Sequence, residues 1–229
     1  MMYEKQYLRA MDDSERGGFY LFRKFFPKKL IQKNSKKHSY LFQMKRWIYL
    51  KECNKILDVG CGLGNFIRTN PFKIEVWGMD KIKDSIKELE KEGIPAKVGD
   101  INKKFPFADN SFDGLTCFHV LEHIIDPSNA LSEMKRVIKK DGLLVIAVPV
   151  LSFKRFYDDY THIKPYTKKS LYKLLKDYNF KDIKIKNGSY FNQLISSLFF
   201  FFPKIRFSIE ELLGNIHPLE IIAIARNNK

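Results

Sequence analysis

The chain has no run of about 18 or more apolar residues, the length a helix needs to cross a bilayer, so no conventional membrane span is expected among its 229 residues. Its first residues, MMYEKQYLRAMDDSERGG, are polar and lack the apolar core of a signal peptide. The expectation is therefore an intracellular, cytoplasmic protein. Cysteine is scarce: Cys53, Cys61 and Cys117 are widely spaced, odd in number and form no CxxC pair. That pattern suggests neither a disulfide framework nor a zinc ribbon. Cys61 reads as a small side chain in a tight loop more readily than as a reactive thiol. Acidic residues are outnumbered, 26 to 41 basic, for a formal net charge of +15. Such a charge attracts nucleic acid or anionic lipid. However, Lys is spread along the whole chain, concentrated only at Lys24–Lys37 and Lys164–Lys186, and accompanies abundant Ile, Phe and Asn. Charge of this kind names no partner. No internal repeat is visible.

What is present is an alternation. Residues 1–52 read as a mixed helical extension or lid with aromatics at Phe19, Tyr20, Phe22, Phe25 and Phe26. Residues 53–150 alternate short apolar runs with helical patterns, the signature of βαβ units and a mostly parallel sheet. Strands are expected at Lys55–Val59, Glu75–Met79, Ala96–Val98, Gly114–Phe118 and Leu143–Val148. Two further strands are expected at Lys181–Lys186 and Glu220–Ala225. A short helix is expected at Asn65–Thr69. Asp126-Pro127 offers a cap and a first-turn proline to a helix that repeats Ala130, Leu131, Met134, Val137 and Ile138, with Gly142 just past its end. Thr167 caps another helix, which buries Leu171, Leu174 and Leu175.

The glycine-rich loop Gly60-Cys61-Gly62-Leu63-Gly64 follows the first buried strand, where open α/β sheets bind ligands. Alone, this pattern has little specificity. Asn65 breaks the spacing of the dinucleotide fingerprint, which disfavours pyrophosphate. Asp58, two positions before Gly60, suits a ligand with positive charge or donors. Asp80 ends the second strand twenty residues after Gly60, where a carboxylate can accept ribose hydroxyls, although the same residue can cap a helix. Asp100 after the third strand could accept from an adenine amino group with Ile101 packing on the ring, or simply close an Asx turn.

Taken together, the strings KILDVGCGLGNF, VWGMD and VGDINKKFPFADNSFDGLTCFHVLEHIIDPSNALSEMKRVIKKDGLLVIAVP resemble the class I S-adenosylmethionine-dependent methyltransferases, and within them the type 11 branch. The resemblance is strong over residues 53–150 and looser through THIKPYTKKSLYKLLKDYNF and the final strand. It implies a Rossmann-like α/β fold, a seven-stranded mostly parallel sheet with helices on both faces. Its last strand would be antiparallel, inserted between strands five and six. It implies S-adenosyl-L-methionine as cofactor, lined by Gly60, Gly62 and the Cys61 backbone. Asp80 with its neighbour Lys81 would face ribose, Asp100 and Ile101 adenine, and Phe118 or His119 the methionine portion.

Methyl transfer depends largely on placing the acceptor in line with the S–CH3 bond, and a general base helps a hydroxyl acceptor. His119 and His162 are the catalytic candidates. A second reading gathers His119, Glu122, His123 and His162 around a divalent ion. Some methyltransferases of small RNAs and of ubiquinone precursors use a related Glu-x-x-Glu-His pattern, whose first Glu is His119 here. No resident metal is expected; Glu122 and His123 are the candidates should one be bound.

Outside the core lies an apolar insertion at about 189–216, with Leu194, Ile195, Leu198 and Phe199–Phe202 crowded together. It is too short to span a bilayer and suits an in-plane helix, a greasy substrate wall or a buried packing element. The function expected is methyl transfer to a small-molecule or lipid-like acceptor, with peripheral membrane association as an option. RNA methylation is the alternative, and a non-catalytic partner subunit a third reading that the intact loop disfavours.

Overall fold

In the computed structural model the described residues are 43, 46–151, 156–188, 202, 205, 209 and 220–229. The expected lid and the apolar insertion lie almost wholly outside them. Seven strands form one sheet: β1 (Lys55–Val59), β2 (Glu75–Asp80), β3 (Ala96–Val98), β4 (Phe112–Phe118), β5 (Ile138–Pro149), β6 (Phe180–Asn187) and β7 (Glu220–Asn227). The order is β3-β2-β1-β4-β5-β7-β6. The pairs from β3 to β5 are parallel, and β7 is antiparallel to both β5 and β6. This is the expected Rossmann-like arrangement, with the last strand inserted between the fifth and sixth.

Helices α1 (Lys83–Lys91), α2 (Ser128–Val137) and α3 (Lys168–Asp177) cover the two faces. Successive strand residues point to opposite faces, so β1 splits its apolar residues between two layers. Leu57 and Val59 join Leu115, Ile146, Leu131, Met134, Leu171 and Leu175 on the α2–α3 side. Ile56 joins Val76, Val145, Ile222, Ile86 and Leu89 on the α1 side, where Trp47 and Leu50 complete the layer. Thr167 caps α3 as its sequence suggests: its hydroxyl accepts from the Ser170 amide, and Ser170 Oγ accepts from the Thr167 amide.

Two local expectations are corrected. The helix expected at Asn65–Thr69 is only a 3-10 turn, Ile67–Thr69. Asn70 leaves helical geometry at ψ 107, as a residue preceding proline tends to, and Pro71 ends the turn. Gly142 does not terminate α2. That helix stops at Val137, because Ile138 is already extended and pairs with Phe112. Gly142 thus lies inside β5. Among the described residues no helix is long and apolar enough to cross a membrane.

Asn227, fully buried at the end of β7, ties that strand to the α2–β5 junction. Its side-chain amide donates toward the carbonyls of Lys135, Ile138 and Lys139 at 2.9–3.2 Å. Removing it strands buried acceptors, each worth about 1–3 kcal/mol. Asn227→Ala is expected to lower unfolding stability by roughly 2–3 kcal/mol, read from urea midpoints at unchanged slope.

Candidate functional site

Because β1, β2, β3 and β4 run parallel, their carboxyl ends share one edge of the sheet. Gly60, Asp80, Gly99-Asp100 and Phe118-His119 leave from that edge. Antiparallel β7 begins there instead of ending there, and its first residue, Glu220, pairs with Pro149 at the end of β5. Topology alone therefore brings residues from five segments together.

The loop after β1 is locked onto the end of β2. The amides of Gly60 and Cys61 both donate to the Met79 carbonyl, at 2.7 and 3.1 Å. The Gly62 amide donates to Asp80 Oδ2 at 2.9 Å, and the Gly64 amide to the Cys61 carbonyl at 2.8 Å. Gly60, Gly62 and Gly64 take φ of +74, +50 and +73, a region open to glycine at little cost. A phosphate site needs free amides and a helix N-terminus. Here those four amides are engaged and only a 3-10 turn follows, so the loop is unsuited to a dinucleotide. It suits a ligand without phosphate.

The carboxylates around this loop are unlike each other. Asp80 is buried and also accepts from the Ile82 amide at 2.9 Å, so it caps the approach to α1 and buttresses the loop at once. A carboxylate has about four acceptor sites, which leaves capacity for a ligand's hydroxyls. Lys81 beside it is exposed. Asp58 is buried and accepts from the Thr116 hydroxyl at 2.6 Å. Burial pushes its carboxyl up to about 7, against the Thr116 hydrogen bond and the charge of Arg46. A carboxyl poised in this way is stabilised as an anion by an incoming cation. Asp100 closes an Asx turn onto the Asn102 amide at 2.9 Å, and half-buried Ile101 packs against the apolar layer. Cys61 is buried, and desolvation holds its thiol far above the ordinary range, as its place in a tight loop implies.

His119 sits at φ +56, a left-handed conformation that costs a non-glycine residue on the order of 1 kcal/mol and recurs at functional sites. Its amide still donates to the Ala147 carbonyl of β5 at 2.8 Å. Its Nε2 lies 2.8 Å from Glu220 Oε2, and Arg46 Nη2 donates to the same oxygen at 2.7 Å. Desolvation opposes a charge on His119. The Glu122 and Glu220 carboxylates outweigh it and raise the imidazole to about 9. In this arrangement the ring carries a proton at neutral pH and does not offer a lone pair. Glu220 is held down to about 2, since Arg46 and His119 overcome the cost of its burial. The Arg46 guanidinium also stands 4.4 Å from the centroid of the Phe118 ring. Its position is fixed by Trp47, which stacks on Phe66 at 4.2 Å and donates to the Phe66 carbonyl and the Thr69 hydroxyl.

Arg46 and Glu220 are functional candidates that motif reading missed. The signal for Glu220 was a carboxylate opening the apolar strand Glu-Ile-Ile-Ala-Ile-Ala. Arg46 carries no comparable signal.

His162 is not brought to His119. It comes instead to His123, with ring centroids 4.9 Å apart, and to Glu122. The amides of Ile163 and Lys164 donate to the Glu122 carbonyl at 2.8 and 2.9 Å, stitching the loop after β5 to the turn after β4.

Residues 57–146 match the family model described as a methyltransferase domain. An uncharacterized methyltransferase of Schizosaccharomyces pombe is 38% identical over 110 residues, covering 41% of this chain and 39% of that protein. A ubiquinone/menaquinone biosynthesis C-methyltransferase of Geotalea daltonii is 32% identical over 145 residues, covering 54% and 61%. The chain thus spans less than two thirds of the length of these curated relatives. Among solved structures, a SAM-dependent methyltransferase from Archaeoglobus fulgidus is 27% identical, with a TM-score of 0.64 over 82% of this chain and 94% of the other.

The loop geometry is testable without a ligand. A Cβ on Gly60 would stand 2.2 Å from Val120 Cγ2, at a φ of +74. Gly60→Ala is expected to cost about 2–4 kcal/mol of stability, of which about 1–3 is backbone strain. Adding Val120→Ala should recover only the steric part in a double-mutant cycle. A Gly60→Ala protein as stable as the native one would refute this account of the loop.

Proposed function

With residues 57–146 forming a methyltransferase domain on a fold shared with an S-adenosylmethionine-dependent enzyme, we propose that this chain transfers the methyl group of S-adenosylmethionine to a small, lipid-like acceptor. The observation that carries the cofactor half is the loop with its amides turned inward, flanked by Asp58 and Asp80. When bound, the cofactor supplies a methyl group on a sulfonium. The residues that would hold it are the Gly60–Gly62 backbone, Asp80 at ribose, Asp100 and Ile101 at adenine, and Asp58 and Phe118 toward the methionine end. Arg46, Glu220 and His119 would form a charged wall beside Phe118, excluding water and orienting the acceptor.

The acceptor half rests on surface chemistry. Ile125, Leu151, Tyr157, Tyr160 and Ile163 are all exposed, and all lie in the segments that follow β4 and β5 at the site edge. Apolar side chains gathered at the mouth of a site suit a greasy substrate. The name of the Geotalea relative, a quinone-pathway C-methyltransferase, points the same way. Peripheral contact with a membrane would bring such an acceptor to the mouth, and the lid of residues 1–52 and the insertion at 189–216 are the segments proposed to bound it.

Two experiments test these halves. Asp58 at about 7 is largely half-ionised at neutral pH, and a bound ammonium favours its anion. Cofactor binding should then release a proton near neutral pH and tighten as pH rises through that range, as calorimetry in buffers of different ionisation enthalpy would show. Asp58→Asn should abolish the release; an unchanged release in that variant would dissociate Asp58 from the cofactor. For the acceptor, cell extract incubated with the protein and methyl-labelled cofactor should gain label in the organic-extractable fraction. Label confined to RNA would support the nucleic-acid alternative and overturn the lipid-like one.

A further inference from the structure

Glu122 is fully buried, and among the described residues neither oxygen of its carboxylate has a hydrogen-bond partner. A buried acid so placed calls for a compensating charge. His119 Nδ1 approaches Oε1 only to 3.5 Å while its other nitrogen is engaged by Glu220. The remaining neighbours are two imidazoles. His123 Nδ1 lies 3.0 Å from the Thr161 carbonyl, and His162 Nδ1 lies 2.7 Å from the Phe156 carbonyl. A carbonyl only accepts, so each Nδ1 carries the hydrogen and each Nε2 keeps the lone pair. One ligand atom from each of Glu122, His123 and His162 falls within 4.8 Å of the others. Backbone hydrogen bonds that fix the tautomer of both histidines are the support that metal-binding imidazoles require. The Ile163 and Lys164 amides, donating to the Glu122 carbonyl, hold the two halves of the cluster at fixed separation.

We propose that Glu122, His123 and His162 bind a divalent first-row transition ion. Two imidazoles and one carboxylate suit zinc, iron, cobalt or manganese. Magnesium and calcium prefer oxygen ligands throughout. Three protein ligands leave coordination positions open to water or to an oxygen of a second molecule. The site is distinct from the cofactor loop: it is built from the turn after β4 and the loop after β5, and His119 is turned out of it toward Glu220. The reading does not depend on methyl transfer, since metal binding is measured with no methyl donor or acceptor present.

The test uses the full chain, stripped with chelator and titrated with Zn2+ by calorimetry and with Co2+ by visible absorption. The expected result is one ion per chain and a Co2+ d–d band that saturates at one equivalent. His162→Asn, at a partly exposed position, should weaken Zn2+ binding by about 100-fold or more, beyond what loss of a supporting hydrogen bond causes. Its thermal unfolding without metal should match the native chain. Glu122→Gln should do the same to binding. Binding of equal strength in His162→Asn and the native chain, or no stoichiometric binding in either, would overturn the site. It would leave His162 paired with Asp159, whose Oδ2 lies 3.7 Å from its Nε2.

Discussion

β1 is hydrogen-bonded along both edges, in parallel to β2 on one side and to β4 on the other. This double pairing is the constraint on which the site depends. Parallel strands in register end together, so the loops that leave β1, β2 and β4 must emerge at one edge. Both faces of β1 are covered, which is why, after Lys55 at its start, it reads as apolar apart from Asp58. That carboxyl, carried inside by the strand, meets Thr116 of the neighbouring strand, and its pairing register with Thr116 is what makes the hydrogen bond available.

The same edge concentrates charge. Arg46 and His119 both hydrogen-bond to Glu220, and His119 and Glu220 change each other's protonation. Two carboxylates flank His119 and hold it as a cation, while that cation and Arg46 keep Glu220 ionised although it is buried. Removing either charged partner from a buried pair of this kind costs more than the pair contributes, because the survivor is left uncompensated. Glu122 shows the other side of this rule. It is as deeply buried, but among the described residues no guanidinium reaches it, His119 approaches it only to 3.5 Å, and the imidazoles of His123 and His162 offer it lone pairs instead of protons.

Several elements were legible because their cause is local. The bounds of β1 follow directly from its apolar run, and the Thr167 cap from hydroxyl chemistry that acts over a few residues. Others were not, because their cause is remote. β5 begins at Ile138, five residues before its apolar run, because Ile138 finds a partner in Phe112. Nothing in Lys139-Lys140-Asp141 signals a strand. The short helix expected at Asn65–Thr69 is only a 3-10 turn ahead of Pro71, a local cause.

For the site, the sequence by itself determined the kind of ligand loop: glycines where φ is positive, an acid before them, an acid at the end of the next strand, and no third glycine at dinucleotide spacing. These are short-range requirements on backbone geometry and charge, and a motif can record them. Only the tertiary structure decided which histidine meets which acid. His119 and His123 are only four residues apart, but a left-handed φ turns His119 toward Glu220, 101 residues away, while His123 faces Thr161 and His162. Partners separated by such distances in the chain are chosen by strand order and loop packing, neither of which leaves a pattern in neighbouring residues.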